Sequence, residues 1–307
     1  MPSTDDIGDP SSKVKSASIA KGALVFVTGV NGHIGNHIVS DLLSNGYRVK
    51  GSVRNLSDEN KTAHVIAHAK RLGCEEKLEL VEGNVIESEG WSEHLVGCDV
   101  LLHTATVYSN SDDAETIVGT ANKGTENLFR AAKAAGIDRV VYTSSVAAVG
   151  SKPKGQVKDE TYWQGETNMP YTQAKTESEK IAWKLAEELG LDLRVINPSG
   201  VLGGGFTRPT PSVDFFPDAL SGKWPMAPKI PLAFVHVRDV ARAHRRAFEV
   251  DEATGRHILA PHHDITIADL MKQMRTLYPN TKAPKKALPN WLLPAAIFQD
   301  WLGGIFT

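Results

Sequence analysis

The stretch Leu24-Val-Phe-Val-Thr-Gly-Val-Asn-Gly-His-Ile-Gly35 decides the fold of this chain. Its first five residues are mostly apolar and β-branched, which is typical of a short buried strand. Glycines then follow at a spacing of three residues, as Gly29, Gly32 and Gly35. Apolar residues recur after them at helical spacing, as Ile34, Ile38, Leu42 and Leu43. The order predicts a strand, a tight turn and a helix.

A turn of this kind suits a dinucleotide. Glycines permit a sharp change of direction and let the backbone approach a pyrophosphate, while the helix N-terminus supplies unpaired N–H groups. Three glycines in an arbitrary loop would mean little, but the strand-turn-helix setting makes the pattern specific. The residues predicted to contact the cofactor here are Thr28, Gly29, Asn31, Gly32, His33, Ile34 and Gly35.

The alternation of strands and helices continues along the chain. Further strands are predicted at Tyr47–Val53, Leu78–Glu82, Val100–Thr104, Arg139–Thr143 and Asp192–Ile196. Helices are predicted at Thr62–Leu72, Gly119–Ala135 and Tyr171–Leu189. Alternating elements need crossover connections, which give a parallel sheet covered on both faces. We therefore predict an α/β protein with a doubly wound parallel sheet, the Rossmann arrangement, and a smaller C-terminal substrate-binding lobe.

The end of the second predicted strand indicates which dinucleotide is bound. NAD-binding proteins usually place an acidic residue there for the ribose hydroxyls, whereas this chain has Arg54. A guanidinium fork suits a 2′-phosphate, so the sequence predicts NADP(H) as the cofactor. Lys61 is a second candidate for the phosphate, and a solvated surface lysine is the alternative for it.

Three regions are predicted from the composition. Residues 1–21 are polar and form a disordered tail, and residues 22–197 form the NADP-binding Rossmann region with the catalytic helix. Residues 198–307 form mainly the substrate-binding lobe, with returning Rossmann elements. The Gly- and Pro-rich segment Gly200–Pro231 is expected on the substrate side of the pocket, because binding surfaces are often built from such insertions.

Two side chains suggest a proton-donating site. Tyr171 and Lys175 are four residues apart on a predicted helix, so they project from the same face. A nearby ammonium group favours the phenolate and makes the tyrosine a better general acid. Ser145 follows the predicted strand Arg139–Thr143 directly, and ligands of open α/β sheets bind beyond the carboxyl ends of strands.

Together these motifs resemble the short-chain dehydrogenase/reductase superfamily, in its extended branch of dihydroflavonol-reductase-like and fungal aldehyde or ketone reductases. The resemblance covers about Leu24 to Ala260. It implies that Tyr171 protonates a carbonyl oxygen, that Lys175 holds the ribose and tunes Tyr171, and that Ser145 binds the substrate oxygen. Ser144 is the neighbouring alternative. Asn122 matches a helix asparagine of the superfamily, with either a catalytic or a structural role.

The resemblance also implies further cofactor contacts. Asn84 and Val85 would lie near the adenine, and Thr104, Ala105 and Thr106 would follow the cofactor. Pro198, Gly200 and Val201 would lie beside the nicotinamide. The segment Phe234–Val240 is similar to the branch's late strand and helix start, where Asp239 is expected to cap the helix.

The chain also departs from the branch. Plant dihydroflavonol reductases typically have an asparagine where this chain has Gly150, which favours a general aldehyde or ketone reductase over a flavonoid enzyme. The chain stops at Thr307, earlier than the branch leads one to expect, so a closing C-terminal element is expected to be missing. The apolar segment Leu288–Phe306 is interrupted by prolines and polar residues and is expected to cover a pocket or form an interface.

Composition limits the partners. The net charge is −2, which provides no basic field for a nucleic acid or an anionic membrane. The two cysteines have no metal-ligand spacing, which fits a reducing compartment, and a cytoplasmic monomer or homodimer acting on a small carbonyl compound is expected. The pair His262-His263 is interpreted as a surface loop and not a metal site. Aromatic side chains of the variable segments are expected to line the pocket: Trp163, Phe206, Phe215, Phe216 and Trp224.

Three rival functions remain at this point. A hydroxysteroid dehydrogenase and a nucleotide-sugar epimerase belong to the same branch, and a non-catalytic NADP(H) sensor would keep the binding turn alone. The complete set of Ser145, Tyr171 and Lys175 argues against the sensor. Arg54 argues against the epimerase, because an enzyme that recycles its cofactor usually employs NAD(H).

Overall fold

The computed structural model describes residues 14, 16–105, 114–150, 158–205, 215–261 and 265–292. The strands are β1 Leu24–Thr28, β2 Arg48–Val53, β3 Leu78–Glu82, β4 Val100–His103, β5 Arg139–Thr143, β6 Asp192–Pro198, β7 Gly200–Leu202, β8 Ala227–Pro228, β9 Phe234–His236, β10 Gly255–Leu259 and β11 Ala287–Leu288. The helices are α1 His33–Ser44, α2 Glu59–Leu72, α3 Trp91–Leu95, α4 Ala114–Ala134, α5 Pro170–Leu189, α6 Phe215–Ser221, α7 Val237–Glu249 and α8 Ile267–Leu277.

A seven-stranded sheet organises the larger part of the chain. Its strand order is β10-β6-β5-β4-β1-β2-β3, and every neighbouring pair is parallel. The order reverses between β1 and β4, which is where doubly wound sheets open a crevice for ligands. The predicted doubly wound α/β fold is therefore confirmed.

Each face of the sheet has its own hydrophobic core. On one face, strand residues such as Val27 and Val141 pack with residues of α1, α2 and α7, including the fully buried Ile38 and Phe248. On the other face, Phe26 and Val195 pack with residues of α3, α4 and α5. The strands are thus buried on both sides, which explains their nearly continuous apolar runs.

The chain divides into two compact units. The first comprises Met1–Pro198 and Val237–Leu259, and the second comprises Ser199–His236 and Ala260–Thr307. The second unit contains the short pairs β7-β9 and β11-β8. Its core includes Phe215, Trp224 and Met271. None of the described helices is long and apolar enough to cross a bilayer.

Residues 14 and 16–21 are the described part of the segment for which a disordered tail is predicted. Ser16 donates a hydrogen bond from Oγ to Asp192 Oδ2 at 2.9 Å and accepts one from Arg139 Nε at 2.9 Å. Ser18 is hydrogen-bonded to Asp251, and Ile19 packs against the core. The contacts of Ser16 give the buried pair Arg139–Asp192, whose side chains are 3.0 Å apart, further polar partners.

The prediction that Asp239 caps a helix is wrong. Helix α7 begins at Val237, so Asp239 lies in its first turn and does not cap it. Three of the aromatic residues that were predicted to line a pocket, Phe215, Phe216 and Trp224, lie together in the second unit. Phe215 stacks on both Phe216 and Trp224 within the core of the second unit, whereas Trp163 belongs to the first unit. These rings are large and apolar, and the small second unit employs them as its core.

Some predicted residues lie outside the described ranges. They are Thr106, Phe206, the pair His262-His263 and most of the apolar C-terminal segment. Among the described residues, no group of three or more His, Cys, Asp or Glu side chains is arranged to hold a metal ion.

Candidate active site

The glycine turn between β1 and α1 has the geometry of a phosphate cradle. Gly29 has φ +67°, a conformation that favours glycine, and its oxygen accepts a hydrogen bond from Gly32 N at 2.9 Å. A Cβ on Gly35 would stand 2.2 Å from the Gly29 oxygen. Helix α1 begins at His33 with no acidic residue in its first turn, so its N-terminus remains favourable for an anion.

Thr28 holds the carboxyl ends of β1 and β4 together. Its Oγ1 accepts hydrogen bonds from Thr104 N at 3.0 Å and Ala105 N at 2.9 Å. With both lone pairs taken, its hydroxyl proton is directed to His103 Nδ1, 2.9 Å away. Burial lowers the pKa of His103 to about 3, with a further effect of the Lys175 charge. His103 is therefore a neutral acceptor that fixes Thr28.

The buried amide of Asn36 supports the start of α1. Its Nδ2 donates to the backbone oxygens of Gly32 at 2.7 Å and His33 at 2.8 Å. His68 Nε2 lies 3.1 Å from Asn36 Oδ1, and Arg71 lies 2.8 Å from His68 Nδ1. Burial first, and then the charge of Arg71, lowers the pKa of His68 to about 4. These contacts keep the turn rigid through side chains of α2.

The two predicted 2′-phosphate residues differ in their surroundings. Arg54 follows β2 and is exposed, with no ion pair among the described residues. Lys61 lies on α2 and forms an ion pair with Asp58 at 2.7 Å. Arg54 is therefore better placed to receive an anion, because Lys61 already has an acidic partner.

The predicted adenine side is the loop after β3. Asn84 Nδ2 donates a hydrogen bond to Glu87 at 3.1 Å. Val85 packs closely against Gly124, since a Cβ on Gly124 would lie only 3.2 Å from the Val85 side chain. Asn127 of α4 donates to the backbone oxygen of Val85 at 3.0 Å. Sequence reasoning missed Asn127, which anchors this loop, because its partner is 42 residues away along the chain.

The predicted catalytic pair lies on α5. Tyr171 is partly buried near the start of the helix, and Lys175 follows it one turn later. Lys175 Nζ donates to the backbone oxygen of Thr143 at 3.2 Å, which places it at the carboxyl end of β5. Burial lowers the pKa of Lys175 to about 8, while the charge of Glu179 opposes this shift. An ammonium group of this kind lies close to its titration point near neutral pH.

Ser145 lies directly beyond the same strand end. Its side chain caps a short 3₁₀ turn by accepting a hydrogen bond from Ala147 N at 3.2 Å. Its hydroxyl proton remains able to point at a ligand, because the capping bond occupies only a lone pair. Ser144, the alternative, is more deeply buried, and its Oγ has no hydrogen-bond partner among the described residues.

Thr143 is also held from the opposite face of the sheet. Its Oγ1 lies 2.7 Å from His244 Nε2, and His244 Nδ1 lies 2.8 Å from the Val240 oxygen. A carbonyl only accepts, so Nδ1 carries the proton and Nε2 accepts from Thr143. Burial lowers the pKa of His244 to about 4, which keeps this ring neutral. His244 could not be predicted from the sequence, since only tertiary folding brings α7 to β5.

A buried ion pair joins α5 and β10, one helical turn beyond Lys175. Arg256 Nε contacts Glu179 Oε1 at 2.6 Å, and both side chains are completely buried. The guanidinium group of Arg256 also stacks on Trp163, with 4.1 Å to the ring centroid. Asn197 Nδ2 donates to Glu179 Oε2 at 2.8 Å and to the Ser145 oxygen at 3.2 Å. Sequence reasoning missed these residues, although Glu179 continues the four-residue spacing of Tyr171 and Lys175.

The remaining predicted site residues are Asn122, Pro198, Gly200 and Val201. Asn122 lies on α4, and its buried Oδ1 has no hydrogen-bond partner among the described residues. Pro198 ends β6 in the first unit, while Gly200 and Val201 lie on β7 in the second unit. The glycine cradle and the unpaired Asn122 oxygen fit a dinucleotide, which would supply donors and phosphates to them.

Known proteins show the same framework. Residues 25–260 match the NAD dependent epimerase/dehydratase family. Cinnamoyl-CoA reductase CAD2 of Medicago truncatula is 33% identical over 279 residues, covering 86% of this chain and 84% of that protein. Cinnamoyl-CoA reductase 1 of Petunia hybrida is 35% identical over 274 residues, covering 86% and 80%. The structure of yeast methylglyoxal/isovaleraldehyde reductase Gre2 complexed with NADPH superposes with a TM-score of 0.76 at 25% identity, covering 87% and 86%. The chain therefore belongs to the NAD-dependent epimerase/dehydratase family, within the extended short-chain dehydrogenases/reductases.

Proposed function

We propose that this protein reduces an aldehyde or ketone to an alcohol with NADPH. One observation carries the proposal: the buried Lys175 is fixed on the Thr143 oxygen, one helical turn after Tyr171 and beside the strand end that leads to Ser145. A buried ammonium group next to a tyrosine makes a proton donor, and a serine hydroxyl makes an oxygen-binding group.

The proposed role of each side chain follows from the hydrogen-bond donors that its contacts within the protein leave available. Ser145 accepts from Ala147 N, so its O–H donates to the carbonyl oxygen of the substrate. Tyr171 donates the proton to the same oxygen as it becomes an alkoxide. The positive charge of Lys175 favours the tyrosinate that remains. Lys175 also offers further N–H donors to the ribose, since the Thr143 oxygen takes only one of its three.

The cofactor would be held by the glycine turn, by the N-terminus of α1 and by Arg54 at its 2′-phosphate. When bound, the nicotinamide supplies the hydride that reduces the carbonyl carbon. The exposed Arg54 supports NADP(H), and the yeast structure named above contains NADPH. The buried side-chain oxygen of Asn122, on α4, would accept a hydrogen bond from a molecule bound in the site.

The substrate is proposed to be a general carbonyl compound and not a flavonoid. Gly150 has φ +84°, and a Cβ there would lie 2.8 Å from the Cα of Gln164. An asparagine side chain at this position would therefore need the backbone to move. The named relatives act on cinnamoyl-CoA or on methylglyoxal and isovaleraldehyde, which supports carbonyl reduction as the reaction class.

The test is NADPH oxidation by the purified protein with a panel of carbonyl compounds. The panel contains aliphatic and aromatic aldehydes, α-keto esters, aryl ketones, steroids, dihydroflavonols and a cinnamoyl-CoA thioester, with NADH in parallel. Turnover of simple aldehydes or ketones with NADPH is expected. Cofactor binding without turnover of any carbonyl compound would contradict the proposal and favour an epimerase or a sensor. Turnover of steroids alone would favour a hydroxysteroid dehydrogenase.

A further inference from the structure

Glu179 is completely buried on α5, one turn beyond Lys175, and the proposed reaction gives it no chemical step. Its two oxygens have separate partners: Arg256 contacts Oε1 at 2.6 Å, and Asn197 donates to Oε2 at 2.8 Å. Burying a carboxylate is costly unless it is paired and hydrogen-bonded. These contacts fix the carboxylate in one place at the rear of the site.

Asn197 extends this arrangement to the serine. Its Nδ2 carries two hydrogens, one for Glu179 and one for the Ser145 oxygen at 3.2 Å. The backbone of Ser145 is therefore tied to the carboxylate through a single amide group. A displacement of Glu179 would displace the Ser145 hydroxyl as well.

The titratable groups facing Lys175 or its contacts are Tyr171 on α5, His103 on β4, Tyr142 on β5, His244 on α7 and, beyond Glu179, the cationic Arg256 on β10. Burial keeps His103, Tyr142 and His244 uncharged at neutral pH. Burial lowers the pKa of His103 to about 3 and that of His244 to about 4, and burial raises the pKa of Tyr142. Within the described part of the chain, Glu179 is the anion that acts on Lys175.

We propose that Glu179 is a positioning residue of the reductase: its carboxylate holds the opposite charge one helical turn from the Lys175 ammonium group and, through Asn197, fixes the backbone of Ser145. This inference rests on the function proposed above. It gives one buried carboxylate control over both the charge beside Tyr171 and the place of the serine that binds the substrate oxygen.

The first arm of the test reads Lys175 without turnover. NMR of enzyme with 13C at the lysine ε-carbons follows the titration of Lys175, and its signal is identified by its absence in Lys175→Arg. In Glu179→Gln we expect the midpoint to fall by about one pH unit, because an opposing charge is lost. The basic limb of the kcat/KM profile should move in the same direction. Thr176→Val, a buried polar change on the same helix away from Lys175, should move neither.

The second arm separates the serine from the charge. Asn197→Ala removes the donor to the Ser145 oxygen without changing any charge. We expect kcat/KM to fall about tenfold, as for the loss of one buried hydrogen bond, while the midpoint of the Lys175 titration keeps its wild-type value. Glu179→Asp keeps the charge but withdraws the carboxylate, so it should keep the midpoint near the wild-type value and lower kcat/KM as Asn197→Ala does.

Several results would overturn the inference. An unchanged Lys175 midpoint in Glu179→Gln would mean that Glu179 serves packing alone. If Glu179→Gln does not fold, Asn197→Ala keeps the inference testable because it removes no charge, and an unchanged kcat/KM in that variant would overturn it. The absence of carbonyl turnover in the wild-type enzyme would contradict the proposed function, while the NMR titration would still decide whether Glu179 controls Lys175.

Discussion

The backbone oxygen of Gly29 occupies the space that a Cβ on Gly35 would need, 2.2 Å from its ideal position. The position of a Cβ is set by the backbone of its own residue, and the facing atom is a backbone oxygen, so no rotation of a side chain can relieve the contact. Gly35→Ala is therefore expected to force the turn open, lower the melting temperature and weaken NADPH binding at least tenfold. Fluorescence titration with NADPH and thermal unfolding measure the two effects.

Gly119→Ala is the matched control for that change. Gly119 lies exposed in α4, and a Cβ there would meet nothing within 4 Å. The same substitution should leave NADPH affinity unchanged and stabilise the protein by up to about 1 kcal/mol, as alanine does in helix interiors. Equal losses in both variants would show that the turn tolerates a side chain.

Arg54 is predicted to select the cofactor. Arg54→Ala should raise KM for NADPH about tenfold or more and leave KM for NADH nearly unchanged, because only NADPH carries the 2′-phosphate. Lys61→Ala is the comparison, since its ammonium group already pairs with Asp58 at 2.7 Å and should matter less. Equal effects of Arg54→Ala on both cofactors would remove the basis for NADP(H).

Tyr171 is predicted to be the proton donor. Tyr171→Phe should lower kcat by about two to four orders of magnitude, the usual contribution of general acid catalysis, with little loss of NADPH affinity. Tyr162→Phe, at an exposed tyrosine, should keep wild-type kcat. A Tyr171→Phe enzyme with normal turnover would assign the proton to another group.

Three neutral histidines predict a loss of stability in acid. Burial lowers the pKa of His68 and His244 to about 4 and that of His103 to about 3, all below the unfolded value of 6.5. The unfolded chain therefore binds more protons than the folded one between these values. Their contribution to stability is complete above pH 6.5 and is lost as the pH falls toward 4.

Urea unfolding between pH 7.5 and about pH 4.5 measures this loss. Each histidine contributes a slope of up to about 1.4 kcal/mol per pH unit in this range. His68→Gln should reduce the slope of unfolding free energy against pH by the contribution of one histidine, while an exposed substitution such as Glu59→Gln should not. A slope that stays the same in His68→Gln would mean that its ring is not protonated on unfolding.

Local patterns predicted the strand-turn-helix of β1 and α1 and placed Tyr171 and Lys175 on one helix, and the structure has both, while the roles of these residues stay predictions. The strand-turn-helix motif and the spacing of Tyr171 and Lys175 depend on neighbours in the chain, and regular periodicity is visible in them. Residues 237–259 return to the first unit after a long excursion, which the resemblance implied only as returning Rossmann elements without bounds. The pairing of Glu179 with Arg256 could not be predicted, because the two residues are 77 positions apart in the chain. The predicted cap at Asp239 is wrong by a small margin, because helix α7 begins two residues earlier, at Val237.

The hydrogen bonds of Arg139 have a consequence for how the protein is made. This buried cation contacts Ser16, Asp192, the Phe248 backbone and Asp251. Its set of partners thus includes a residue near the start of the chain and others synthesised more than two hundred positions later. Ser16, Arg139 and Asp192 are all synthesised before α7 and β10, whereas Phe248 and Asp251 come later. During synthesis, this interior charge can therefore reach its full set of partners only after residue 251 has left the ribosome.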